Sequence, residues 1–418
     1  MSDLNIAVIG AGPAGCTLAL LLLKEGIHVT IFEGEASANV RSQGGTLDLH
    51  EGTGLTAIRR MGLWDEFSKY VRYDAEALKL CDKNMKMFLQ LGGTTSSSSR
   101  GRPEIDRKAL RDMLVAALPD GTVRWNHRLL KVDEQRNMHF ASGIETEFDL
   151  IVGADGAWSK VRTLVSTVKP AYSGITGVRL QISEAATRHP ELYDLVNRGS
   201  LFSYDDSKNL NAQQLGDGSI QFGPMLAVGE GFLKEQSNDV SAIQAALHEK
   251  FKGWDPKLLK FIDAADGEPW VSGLYMLPVG FKWVHRPGVT LIGDAAHVMT
   301  PFAGEGVNLA LTDAMELAGA IIATAKSGKK SNLAGEVRKY EKEMFVRAKK
   351  VQQLTFDLMT IDFFTEGGLH EGIEMWMYTV ARDSMPWMLW PFLWAAVCAW
   401  FGVWRWRNGG VRHGKKEA

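Results

Sequence analysis

The chain alternates short buried-looking runs with longer stretches of helical period. Asn5 to Ile9 is apolar and ends in Gly-Ala-Gly-Pro-Ala-Gly at positions 10–15. Leu18 to Leu23 continues as a helix-like apolar stretch that Gly26 stops. His28 to Glu33 is short and β-branched, which reads as a second strand, so the first 33 residues predict a βαβ unit. Glu104 to Leu118 carries Ile105, Leu110, Met113, Leu114, Ala117 and Leu118 at a helical period. Thr122 to Trp125 and Met138 to Phe148 predict strands, the latter a hairpin around Ser142-Gly143, and Phe148 to Val152 is a buried strand running into Gly153-Ala-Asp-Gly156. From about Val178 to Trp270 the character changes. Asp217-Gly218 sits between two extended runs, a strong hairpin signal, and the stretch reads as an antiparallel sheet with a helix from Val240 to Phe251. Val289 to Ile292 returns to a buried strand, Val307 to Thr324 is a long apolar helix, and Gly335 to Asp362 is a charged amphipathic one. No repeat is evident, and the low-complexity patch Thr94 to Ser99 reads as a loop tip.

A length of 418 residues suggests two or three domains. With 47 Lys plus Arg against 49 Asp plus Glu, the net charge of -2 argues against nucleic acid as the main partner. The three cysteines form no CxxC pair, which excludes a disulfide framework and a cysteine-rich zinc site; no metal site is expected. The N-terminus lacks a basic region before its apolar run and does not read as a signal peptide.

Chemistry enters with Gly10-x-Gly12-x-x-Gly15 between strand and helix. Gly10 permits a tight turn, Gly12 lets a pyrophosphate touch backbone, and Gly15 packs helix on strand. Pro13 and Ala14 open the helix, whose free N–H groups and dipole suit phosphate. Glu33, 21 residues after Gly12, is positioned to accept from both ribose hydroxyls and would repel a 2′-phosphate. The resident nucleotide is therefore FAD or NAD.

Two later motifs separate these. Asp149-Leu-Ile-Val-Gly-Ala-Asp155-Gly156-Ala-Trp-Ser159-Lys-Val-Arg162 resembles the second fingerprint of single-component flavin monooxygenases of the para-hydroxybenzoate hydroxylase type. Leu291-Ile-Gly293-Asp294-Ala-Ala-His297, followed by Pro301, Gly304, Gly306, Val307 and Asn308, resembles their third. Gly44-Gly-Thr-Leu-Asp48-Leu-His50, Pro103-Glu-Ile-Asp-Arg107 with Arg111, and Pro301-Phe-Ala-Gly304 look closest to the tetracycline-inactivating members. The resemblance spans about residues 5–350. It implies an α/β fold: a glutathione-reductase-like Rossmann FAD-binding domain, an inserted antiparallel β-sheet substrate domain, and C-terminal helices. The expected division is 1–75, 100–175 and 271–325 for the FAD-binding domain and 76–99 with 176–270 for the substrate domain. Residues 326–418 form the helical end, with a Trp-rich segment at 384–406.

The resemblance also implies roles. Asp294 would accept from a ribityl hydroxyl, because a carboxylate at the end of a buried strand needs a partner; capping the next turn is its other reading. Gly304, Gly306, Val307 and Asn308 would set a helix N-terminus against the flavin edge that gains negative charge on reduction. Gly44 and Gly45 would let the isoalloxazine pass close to backbone, or mark a plain bulge, and Asp48 resembles a flavin-contacting residue. Asp155 and Gly156 belong to the second fingerprint. Arg111 matches an arginine that contacts FAD, whereas Arg107 reads as solvated or paired with Asp106 or Glu104. Arg41 matches a position linked to NADPH, Phe302 an aromatic pocket residue and Gln181 a polar one. His297 is expected to pack and hydrogen-bond rather than act as a base.

The leading functional expectation is an FAD-dependent, NAD(P)H-driven monooxygenase. It would insert one atom of O2, through a C4a-hydroperoxyflavin, into an electron-rich aromatic, enolic or polycyclic molecule in secondary metabolism or detoxification. No catalytic acid–base set stands out, which suits a cofactor that carries the hard chemistry. An epoxidase or dehydrogenase of the same fold acting on a membrane-borne terpenoid is the second reading. A non-catalytic nucleotide-binding or membrane-scaffolding protein is the third. The second draws on the C-terminus, where Ser384 to Trp404 holds no charge, seven of 13 tryptophans fall between Trp376 and Trp406, and basic residues follow. Lying in the plane of a cytosolic membrane face through 384–416, or docking Trp387, Trp390 and Trp394 on the body, are both open; a true span ranks below them because Pro386 and Pro391 interrupt it. The Lys415-Lys416 end resembles a dilysine endoplasmic-reticulum retrieval signal.

Overall fold

The computed structural model describes residues 4–38, 44–73, 77–92, 101–235, 239–382 and 385–407. The βαβ unit forms as read: strand Asn5–Ile9, helix Pro13–Lys24 and strand His28–Phe32. These strands join a five-stranded sheet in the order 289–291, 150–153, 5–9, 28–32, 123–124, and every pairing is parallel. Parallel sheets need cover on both faces, and here the interior is continuous: Ile6, Val8, Ile31, Leu150 and Val152 are essentially inaccessible to solvent. The Asp133–Asn137 turn and the Met138–Phe140/Gly143–Glu145 hairpin build a small three-stranded meander at its edge.

The second sheet has seven strands, in the order 270–276, 171–182, 220–227, 208–214, 200–205, 78–81, 87–91. It is antiparallel except where Ser200–Asp205 runs parallel to Leu78–Cys81. Strands Ala171–Ile182 and Trp270–Met276 lie wholly within it, so its larger segment runs from residue 171 to residue 276 rather than from 176 to 270. Its hairpin turns on Gly218, at φ +82°, between Lys208–Gln214 and Ile220–Ala227. One face carries Val178, Leu180, Ile182, Ile220 and Phe222 and buries them against helices Val240–Lys250 and Pro256–Ala264. Alternation then sends the polar residues of the same strands to the opposite face.

One expectation fails. Glu104–Asp106 is not the first turn of a helix but a strand paired with Thr46–Asp48, Leu47 facing Ile105. Ile105 is fully buried, and ladder bonds plus the preceding Pro103 hold this stretch extended until Arg107 opens the helix Arg107–Ala116. Helix Gly306–Ser327 crosses the nucleotide domain, and the 32-residue helix Leu333–Phe364 ties both halves together. Its Tyr340, Met344 and Ala348 enter the core of the parallel-sheet domain, whereas Met359, Ile361 and Phe363 enter a third cluster under the large sheet.

Candidate functional site

The glycine loop is shaped by close approach. Gly10 has φ +106°, and a Cβ there would sit 2.4 Å from the Ala154 carbonyl oxygen. A Cβ on Gly15 would sit 2.2 Å from the Gly10 oxygen, which is how helix and strand come together. At Gly12, by contrast, nothing lies within 4 Å. Gly12 is the N-cap and Pro13 follows it; no side chain caps the helix and no acid occupies its first turn. The N–H groups of Ala14 and Gly15 make no hydrogen bond among the described residues and lie at the positive end of the helix dipole, next to the open space at Gly12. Glu33 is buried and anchors the loop: its Oε2 accepts from the Ala11 N–H at 2.7 Å and its Oε1 from the Glu35 N–H at 3.0 Å.

Arg111 lies beside this loop, buried, donating to Glu35 Oε2 at 2.7 Å and to the Ala38 and Ala11 carbonyls. From the second fingerprint, Asp155 Oδ2 accepts from the Lys160 N–H at 2.7 Å, while its Oδ1 is buried with no partner among the described residues. Burial pushes this carboxyl above the usual range. Arg162 ties the second fingerprint to the third through the Ala157 and Ala295 carbonyls. Asp294 departs from the expectation. The buried strand ends at Leu291, and Asp294 itself is exposed, making no side-chain hydrogen bond among the described residues. It does not cap the following turn. His297 packs as expected, 2.6 Å from Asp313 Oδ2.

The third part is the lip around Gly44. Gly44 has φ +134°, and a Cβ there would meet the Arg107 Cδ at 2.8 Å. A Cβ on Gly45 would meet Gln213 and Gln221 at 2.9 Å, and the Gly45 N–H donates to Gln221 Oε1. These glycines thus let protein approach protein, joining the lip to the large sheet. Asp48 is half-buried, and its Oδ2 pairs with His50 Nε2 at 2.8 Å while His50 Nδ1 faces Glu305 Oε1 at 3.3 Å. Burial works to lower the His50 pKa, yet hydrogen bonds to Asp48 and Glu305 outweigh it and raise it to about 9. Asn308 turns its amide inward, accepting from the His50 N–H and donating to the Asp48 carbonyl. Gly304, at φ +69°, is exposed, and Gly306 and Val307 begin a helix without any side-chain cap. Its first N–H groups are open.

Opposite the lip stands the polar face of the large sheet. Residues directly paired across antiparallel strands share a face. One row runs Ser200, Gln213, Gln221, Gln181; a second runs Phe202, Asn211, Gly223; a third runs Tyr204, Asn209, Met225, Gly177. Arg179 follows Gly177 by two residues on this face and feels the like charge of Arg107, which in turn feels Asp294. Phe302 closes the end of this space, its ring 5.2 Å from Phe363.

An open helix N-terminus, an unpartnered Asp155 oxygen and an exposed Asp294 carboxylate converge here with glycines whose backbones are bare. That donor and acceptor set fits a dinucleotide carrying a flavin. Residues 3–200 and 281–355 match the FAD binding domain family. The chain belongs to this family of FAD-dependent monooxygenases. Monooxygenase penA of Penicillium thymicola is 32% identical over 88% of this chain and 97% of its own length. Among solved structures, Klebsiella pneumoniae HpxO complexed with FAD and uric acid aligns with a TM-score of 0.72 at 20% identity, covering 94% of this chain and 97% of that one. Tetracycline destructase Tet(51) aligns with a TM-score of 0.67 at 20% identity, covering 91% and 96%. Both likenesses concern the fold.

Within the FAD-dependent monooxygenase, sequence reasoning missed three residues. Arg107 is exposed, as one of its readings had it, but Asp106 is taken by Arg72 at 2.9 Å and the Arg107 side chain lies against Gly44. Arg179 carried no signal in a single sequence, and His50, although it ends the Gly44–His50 motif, had no role read for it, because only strand pairing and the Glu305 turn bring these two together with the rest. Gln181 does reach the polar face, half-buried and donating to Ser219 Oγ at 3.2 Å. Arg41 lies outside the described residues.

Proposed function

We propose that this monooxygenase is driven by NAD(P)H and inserts one oxygen atom of O2 into an electron-rich aromatic, enolic or polycyclic small molecule, in secondary metabolism or detoxification. The observation that carries the reading is the open helix start at Gly306–Asn308, held by Asn308 to a lip that Gly45 joins to the polar sheet face at Gln221. Bound FAD supplies hydride acceptance and dioxygen activation; the protein binds it, orients the substrate and keeps water out. Gly10, Gly12, Pro13, Ala14 and Gly15 hold the pyrophosphate, and Glu33 the ribose, with Arg111 steadying the loop through Glu35. Asp155 and Gly156 line the middle of the cofactor, and Asp294 accepts from the ribityl chain with Arg107 beside it. Gly45 and Asp48 border the ring, while the N–H groups of Gly306, Val307 and Asn308 stabilise negative charge on the pyrimidine edge. Gln181 and Phe302 contact substrate, and Arg41 meets the nicotinamide cofactor. The test is stopped-flow reduction of the FAD-loaded protein by NAD(P)H across an aromatic substrate panel. A true substrate accelerates reduction and consumes NAD(P)H without releasing peroxide; a protein that cannot take up FAD overturns the reading.

A second reading, epoxidation or dehydrogenation of a membrane-borne terpenoid-like molecule, is favoured by one feature. Trp387–Arg407 is long and apolar enough to cross a membrane, and only 6% of its apolar window is buried. Trp387, Phe392, Trp400 and Trp406 are each at least 70% exposed. Of the three tryptophans expected to dock, Trp390 donates to the Arg382 carbonyl at 3.0 Å and Trp394 meets Tyr378 edge-on at 5.3 Å, while Trp387 stays in solvent; Phe401 and Trp404 pack under the large sheet. We read this helix as lying in a membrane surface with Arg405 and Arg407 toward anionic lipid, on the cytosolic side, as the second reading requires. The Lys415-Lys416 end and the rest of the basic tail fall outside the described residues. Flotation with anionic vesicles tests it: full-length protein co-floats, and protein that stays in the aqueous fraction, like a chain truncated before residue 385, counts against it.

A further inference from the structure

The long helix Leu333–Phe364 carries one buried stripe toward the site. Thr355 donates to the Thr300 carbonyl at 2.7 Å and accepts from the Ala303 N–H at 3.3 Å, so this stripe faces the Pro301–Ala303 turn. Two helical turns further along the same face, about 10 Å on, comes Asp362. It is 2% exposed, and its Oδ1 is closed to solvent with no partner. Among the described residues none donates to this carboxyl and no cation acts on it; burial alone pushes it well above the usual carboxylate range. Its electrostatic neighbour is Tyr204, likewise buried, whose hydroxyl makes no hydrogen bond among the described residues and is pushed up first by burial and then by Asp362. Tyr204 sits at the end of the polar sheet face, in the row with Asn209 and Met225, and its ring meets Phe363 edge-on at 5.9 Å. Phe363 in turn touches Phe302.

A buried carboxyl without a partner costs stability, and proteins retain such groups where a ligand completes them. We propose that Asp362 and Tyr204 form the recognition end of the substrate cavity and take an uncharged group that both donates and accepts a hydrogen bond, such as the phenol, enol or lactam of an aromatic substrate. A neutral carboxylic acid offers one O–H and one C=O side by side, and a phenol hydroxyl adds a third point. The surrounding aromatic rings select a flat ring system, and among the described residues no cation acts on this end to hold a substrate carboxylate. The inference rests on the monooxygenase reading above and narrows its substrate class.

The test titrates FAD-loaded protein with 2-naphthol and with naphthalene, following the flavin absorbance. Wild type binds 2-naphthol more tightly than naphthalene. Asp362→Asn, which keeps a donor and an acceptor, retains 2-naphthol binding within about threefold, while Asp362→Leu and Tyr204→Phe each weaken it roughly tenfold and leave naphthalene unchanged. Asp362→Leu also raises the thermal midpoint by a few degrees, since it removes a buried orphan. A structural role predicts the opposite sign. The inference is overturned if Asp362→Leu lowers the midpoint, if it affects both probes equally, or if wild type does not distinguish them. Flavin uptake and NAD(P)H oxidation that persist through any of these results leave the monooxygenase reading intact.

Discussion

The His50 bridge offers a prediction whose size and sign both follow from geometry. His50 sits between Asp48 at 2.8 Å and Glu305 at 3.3 Å, with its side chain only 12% exposed. Raising an imidazole from its ordinary 6.5 to about 9 corresponds to about 3 kcal/mol favouring the charged folded form. Asp48 and Glu305 are partly solvated, which screens the pair and brings the expected value nearer about 2 kcal/mol. The folded pKa lies above the unfolded one. The contribution is therefore complete below pH 6.5 and fades as pH rises through about 9. Urea unfolding of wild type and His50→Gln, measured on apo protein at half-unit steps, should give a gap of about 2 kcal/mol at pH 6. The gap should shrink steadily and nearly close by pH 9.5. A gap that stays constant with pH would refute the argument, because it would mean the imidazole contributes by packing rather than charge. The bridge joins the strand Thr46–Asp48 to the turn before Gly306, so the same loss should loosen the lip of the site.

Further outcomes are expected at the cofactor and in the core. Asp294→Ala should purify without flavin, and retention of stoichiometric FAD with normal turnover would contradict the ribityl role; Glu33→Ala should weaken FAD by ~1.5–3 kcal/mol, measured by fluorescence titration. Gly10→Ala forces a Cβ to 2.4 Å from the Ala154 oxygen at φ +106° and should cost at least ~2 kcal/mol in chemical denaturation; an unaffected variant would show that the loop is not tight. Asp313, fully buried, holds His297 at 2.6 Å, Arg347 at 3.1 Å and the Gly293 N–H at 3.1 Å. Asp313→Ala leaves the buried His297 ring and the Gly293 N–H without their acceptor and takes one of the two carboxylates from Arg347, whose other is Glu316, and should destabilise by about 3 kcal/mol or more, seen as a lowered thermal midpoint.

Local signals in the sequence determined the parallel-sheet half. The run Asn5–Ile9, the glycine spacing and Glu33 describe a βαβ unit whose parts are neighbours in the chain, and a cofactor motif of that kind reads without a fold. The hairpin at Asp217-Gly218 and the helix from Gly306 were legible for the same reason: a turn or a helical period is written over a few residues. Only the tertiary structure decided what lies opposite the cofactor. Arg179, Gln221 and Tyr204 come from three strands, and which of their faces meets the lip depends on pairing register, because a one-residue slip sends every side chain to the other side. The same holds for Glu104–Asp106, whose helical-looking period yielded to ladder bonds with Thr46–Asp48 that no local pattern announces. Asp294 read as buried because its neighbours are apolar; Ile292, Ala295 and Ala296 are indeed in the core, yet the turn at Gly293, φ +60°, presents the carboxylate outward. Asp362 read as the end of a charged helix. Its place under the large sheet, with Tyr204 as its electrostatic neighbour, made it a buried acid, since burial is set by what folds over a residue and not by the residues beside it.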